Sequence, residues 1–356
     1  MGVVEDIPVV VKCVLRLVGI VQISNTSTKH TLFKILPIPF WGYYFYISFN
    51  IWADFASITY PNVTNILKYS DCVSTLSTSI FMFVDLYMFY KRDNQLKKIV
   101  QTLDDSSVGV TKYRKNTYYR NFLLLLMLFN MILIVCGLGV LINTQYHLSY
   151  YIAISIFSLD VLFVEILFND LIQKFRLIND QILTIQVLPV HQSVPCLDKL
   201  SNFHYHLVNV VCHINKVFEI TLLVGTASWF FMVINEIYYL IFVSFRLSSA
   251  EFSFYWSQLP LMACYCFSIY YQVKVWRDVQ DEANKSVIFV HDLWNSLLLK
   301  GKVGGEVRHL QLISLRMINT KLELTARGFF PLNGSFLYII IAAVTTHVII
   351  LIQFEI

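Results

Sequence analysis

Apolar positions in this chain gather into long runs, and polar connections between them carry most of the charge. The last run is the cleanest. Residues 328–354 contain no Asp, Glu, Lys or Arg. As a helix at ~1.5 Å per residue, 332–354 reaches about 34 Å, enough to cross a hydrocarbon core of ~30 Å. Six earlier runs have the same character, at about 33–55, 66–90, 121–142, 148–168, 217–245 and 252–273. The pattern predicts an all-α polytopic membrane protein with seven transmembrane helices. A β-barrel would show ~10-residue alternating segments instead.

Composition agrees. Of 356 residues, 56% are hydrophobic and only 14% are charged, against about 25% charged in soluble domains. A net charge of +4 does not point to nucleic acid, because the basic residues sort by connection. Alternate connections hold 25 of the 27 Lys and Arg, leaving only Lys68 and Arg246 on the other side. The positive-inside rule then places the N-terminus in the cytosol and the C-terminus outside. No cleavable signal peptide is expected, since Glu5 and Asp6 stand where a basic region should be and Lys12 and Arg16 interrupt the apolar part. Of the sequons at Asn25, Asn62, Asn284 and Asn333, only Asn62 falls in an external loop, making it the expected glycosylation site.

The seven cysteines lack metal or redox spacing, so no structural disulfide is expected, and Cys264 and Cys266 are read as buried thiols. Spans four and five continue into polar helical sequence. Residues 285–324 also read as helix, with Val307, Leu310, Leu312, Ile313, Leu315, Ile318, Leu322 and Leu324 forming an apolar face. Asp85, Asp160 and Glu165 lie within spans and are read as interhelical partners. His204, His206 and His213 lack a fourth ligand at useful spacing, so neither a metal nor another cofactor is expected. Converging catalytic His or acids are not apparent, and the chain does not read as an enzyme.

The final run carries a polar stripe. Thr346, Ile350 and Gln353 fall at i, i+4 and i+7, beside Thr345 and Ile349. One reading is a helix packed in a bundle, with Gln353 bonded to a neighbour. The other is a pore-lining helix, with Ile349 or Ile350 as a constriction and Gln353 as a polar ring.

Thr346-His347, five hydrophobic residues and Gln353-Phe354 resemble the C-terminal signature of insect gustatory receptors, with His347 in place of the family's Tyr. The layout of the whole chain resembles that family too. The resemblance implies a ligand-gated, non-selective cation channel in the plasma membrane of a sensory neuron, built as a homotetramer and possibly joined by other gustatory receptors. It implies four regions: 1–32, a cytosolic segment; 33–273, six helices with a ligand-binding outer half and cytosolic extensions; 274–330, cytosolic anchor helices; and 331–356, the pore helix. Thr346, Ile349, Ile350, Gln353 and Phe354 would line the pore.

A small-molecule tastant would bind between the outer halves of the earlier helices. The polar and aromatic residues expected there are Asp71, Ser74, Tyr151, Ser155, Asn235, Glu236, Tyr255 and Trp256. An interfacial aromatic belt explains the Tyr and Trp equally well. Sugar-sensing branches of the family tend to carry an acid after Thr-Tyr, and Val348 stands there, so a bitter plant compound is favoured. The alternatives are a sugar-gated member or a seven-helix receptor signalling through G proteins. The latter's basic-aromatic triplet and NPxxY are absent from the expected places.

Overall fold

The computed structural model describes residues 41, 42, 44–46, 49, 50, 65–105, 146–185, 189–246, 252–299 and 304–353. The expected span at 121–142, most of 33–55, Asn62 and Phe354 lie outside the described residues. Six labelled helices and one small hairpin follow: α1 Asn65–Asp105, α2 Tyr146–Ile185, α3 Val190–Arg246, α4 Phe252–Leu299, α5 Gly305–Asn319, β1 Thr325–Ala326, β2 Phe330–Pro331 and α6 Gly334–Gln353.

The long helices are apolar at one end and polar at the other. Spans four and five run on without a break into α2 and α3, and span six continues through 285–299 as α4. α1 packs mainly on α3, and α2 packs on α4 and α3. Their shared core includes Phe163, Phe168, Phe175, Phe218 and Trp276, with Phe168 and Trp276 meeting edge to face at 5.5 Å between ring centroids. At the polar end, Asn179 donates to Glu282 Oε1 at 2.9 Å and accepts from Ser286 Oγ at 2.6 Å, joining α2 to α4. Lys285 lies 3.0 Å from the same carboxylate and Arg176 3.5 Å. Burial works against charge on Glu282, but Lys285, Asn179 and Arg176 outweigh it and hold the carboxyl below its ordinary range.

Two expectations at this end need correction. Helix does not continue to residue 324: α5 stops at Asn319, the chain becomes extended, and Thr325 pairs with Pro331 and Ala326 with Phe330. Arg327 and Gly328 both take positive φ, 52° and 77°, which no helix admits. The apolar face on α5 is also split. Val307, Leu310, Ile313 and Met317 are buried, while Leu312, Leu315 and Ile318 face outward. Cys266, expected buried, is exposed on α4; Cys264's side chain lies outside the described residues.

α6 starts at a cap, where Asn333 Oδ1 accepts from Ser335 N at 3.1 Å. Every fourth residue then packs inward: Phe336, Ile340, Val344 and Val348. They meet Trp229, Met232 and Val233 of α3 and Tyr265, Ile269 and Val273 of α4.

Candidate functional site

Two features stand apart from ordinary helix packing: a small cavity in the apolar end of the bundle, and the uncovered side of α6. The cavity, about 20 Å³, is bounded by Phe81, Ala153, Phe157, Gly225, Trp229 and Tyr265, among others. It has room for about one water. Gly225 lets α3 approach α2 closely, since a Cβ there would stand 2.6 Å from the Phe157 ring and 3.1 Å from Phe81. The polar groups at its edge are already engaged. Thr78 donates to Ser74 O at 2.8 Å, Ser228 reaches Thr78 at 3.4 Å, and Tyr265 OH donates to Met232 Sδ at 3.2 Å.

Ser74, Ser155, Asn235 and Glu236 are all buried, on three different helices of the apolar end. Among the described residues, Ser155 Oγ has no hydrogen-bond partner. The side chains of Asp71, Tyr151, Tyr255 and Trp256 lie outside the described residues. Phe81, Phe157, Gly225, Trp229 and Met232 were not singled out from sequence. Nothing separates such residues from core packing until the space between them is seen.

Deeper in the apolar part lies a buried charge cluster. Arg92, only 1% exposed, stands 3.4 Å from Asp85 and 3.3 Å from Asp160, with Thr221 also bonded to it. Its guanidinium lies 4.4 Å from the centre of the Phe218 ring. Arg92 follows directly on Lys91 at the end of an apolar run, yet it belongs to the bundle interior. Glu165 points another way and accepts from Tyr271 OH. Of the three histidines, His204 is buried with Nε2 3.0 Å from Ala283 O, while His206 and His213 face outward. Among the described residues no three His, Cys, Asp or Glu converge as metal ligands.

On α6, Thr345, Thr346, Ile349, Ile350 and Gln353 are all exposed on the isolated chain. The hydroxyls of Thr345 and Thr346 turn back to Ile341 O and Ala342 O at 2.8 and 2.9 Å, which neutralises them along an otherwise aliphatic surface. His347 bonds Ala343 O at 2.8 Å and packs edge-on against Phe230 at 5.4 Å, a contact a Tyr ring would also make.

These features define a helical membrane protein whose last span is covered on one side only. Residues 24–356 match the family model for the 7tm chemosensory receptor. The chain belongs to this seven-transmembrane chemosensory receptor family of insects, whose members are ligand-gated cation channels and not enzymes. Its fold is similar to the olfactory receptor OR5 of Machilis hrabei in complex with eugenol, at 15% identity, 96% coverage of both chains and a TM-score of 0.68. The structure of OR5 described without eugenol is similar as well, at 14% identity, 97% coverage of both chains and a TM-score of 0.63. No curated protein sequence matches significantly.

Proposed function

We propose that this chain is a gustatory receptor: a tastant-gated, non-selective cation channel in which four copies bring α6 together around a pore. The observation that carries the reading is the uncovered stripe of Thr346, Ile350 and Gln353, opposite a stripe packed onto α3 and α4. An uncharged helix with an amide and hydroxyls on its free side is better satisfied by copies of itself around water than by lipid. Ile349 and Ile350 supply the constriction, and Gln353 and Phe354 its outer rim. The gustatory assignment rests on the Thr346 to Phe354 signature. The exposed Leu312, Leu315 and Ile318 of α5 are the anchor surface between subunits.

The N-terminus lies in the cytosol and the cavity beside Gly225 in the outer half of the bundle. OR5's complex with eugenol supports a small aromatic ligand in this fold. With space for about one water, the site opens by displacing the Phe81 and Phe157 rings; Ser74, Ser155, Asn235 and Glu236 do not line the cavity and would add polarity only as it widens. That apolar wall fits a bitter plant compound better than a polyhydroxylated sugar.

Expression of the chain alone in oocytes tests the channel. A panel of bitter compounds and sugars should evoke cation current without G-protein signalling, and Gln353→Ala should alter permeation while ligand potency stays unchanged. A tag at the N-terminus should stain only after permeabilisation. A purified particle that is a lone subunit, with α6 against lipid on every open side, would overturn the reading.

A further inference from the structure

The segment that leads into α6 is held by three side-chain amides. Asn284 of α4 forms a closed pair with Leu322, donating to its carbonyl at 3.0 Å and accepting from its N–H at 3.0 Å. One turn earlier, Gln280 accepts from Leu324 N–H at 2.9 Å and donates to Leu332 O at 2.9 Å. Leu332 N–H in turn donates to Leu324 O at 2.9 Å, so Gln280 bridges both arms of the hairpin. Asn215 of α3 donates to Thr325 O at 3.0 Å and is itself oriented by Trp276 Nε1–H, 2.9 Å from its Oδ1. A side-chain amide offers the same donor and acceptor as a peptide group, so α4 acts here as a substitute strand edge. Leu322, Leu324, Ala326 and Leu332 are buried beneath these bonds.

The two helices that supply the amides also line the cavity, through Gly225, Ser228, Trp229 and Met232 on α3 and Tyr265 on α4. α6 contributes no residue to that lining. We propose that Asn215, Gln280 and Asn284 are positioning residues that fasten the entry of α6 to α3 and α4, so that displacement of those helices by ligand is handed to the pore. This rests on the channel reading above.

The test uses the purified full chain in planar bilayers, recording spontaneous openings and openings in eugenol, with hydrogen exchange measured on the same preparations. Gln280→Met keeps length and bulk but removes both bonds. Its open probability should change by about tenfold, the scale of a typical coupling between sites. Single-channel conductance and reversal potential should stay unchanged. The Leu324 amide should exchange faster while the core of α2 stays protected. Gln280→Glu, which can still accept from Leu324, should fall between. Asn284→Asp gives an independent reading, because it keeps the bond from Leu322 N–H and loses the other. Unchanged open probability in a folded variant, or a change in conductance instead, overturns the coupling. A wild-type chain that never conducts removes the channel reading and the coupling together.

Discussion

α2 and α6 are both long and apolar enough to cross a membrane, yet they are covered to opposite extents. Of the most apolar stretch of α2, 89% is buried within the chain; for α6 the share is 22%, although α6 is the more apolar. Hydrophobicity therefore states only that a helix avoids water, not what replaces water around it. The polar groups make the distinction. In α2, Asp160 and Glu165 each meet a partner on another helix of the same chain. In α6, Gln353 and the two threonines sit on the side the chain leaves open.

The comparison is broken most severely by removing Arg92. Arg92→Leu leaves Asp85 and Asp160 facing each other without a counter-charge, and stability should fall by about 3–5 kcal/mol, as for other broken buried ion pairs. Thermal unfolding in detergent measures it. Replacing all three charges together, with Arg92→Met, Asp85→Leu and Asp160→Leu, should restore most of the loss. Next comes Gly225→Ala, whose methyl collides with Phe157. Overpacking there should cost about 1–3 kcal/mol, and ligand responses should weaken as the cavity fills.

A smaller effect is expected from Glu282. Because its folded carboxyl titrates below the ordinary range, its contribution is present at neutral pH and is lost as pH falls through that lowered value. Stability measured against pH should decline on the acidic side of the ordinary carboxylate range, and Glu282→Gln should flatten the decline. The least effect on stability belongs to Gln353→Ala, within about 0.5 kcal/mol for a surface position on a single chain. A larger loss on unfolding of dilute, dissociated protein would mean that Gln353 has a partner within its own subunit.

The polar stripe on α6 was legible because a helix repeats every 3.6 residues and its polar members are few; whether it was packed or open was not, since both arrangements give the same periodicity. Arg92 was not legible either, because a basic residue beside Lys91 at the edge of an apolar run looks the same whether it caps a span or turns inward. Its partner Asp160 lies 68 residues away. The hairpin was hidden by Leu322 and Leu324, which extend the periodicity of α5 past its end. Gly328, the β-branched Thr325 and Pro331 were the available signs of a turn. Gly225 illustrates a further limit: its importance lies in a side chain it does not have.

The length of α3 has its own geometric consequence. An unbroken helix of 57 residues is a rod of about 85 Å at ~1.5 Å per residue. A tilt of about 5° about one end swings the far end by about 7 Å over that length. If the channel reading holds, a displacement no wider than one aromatic ring near Gly225 would be geared up with distance along the shaft, a large stroke from a very small wedge.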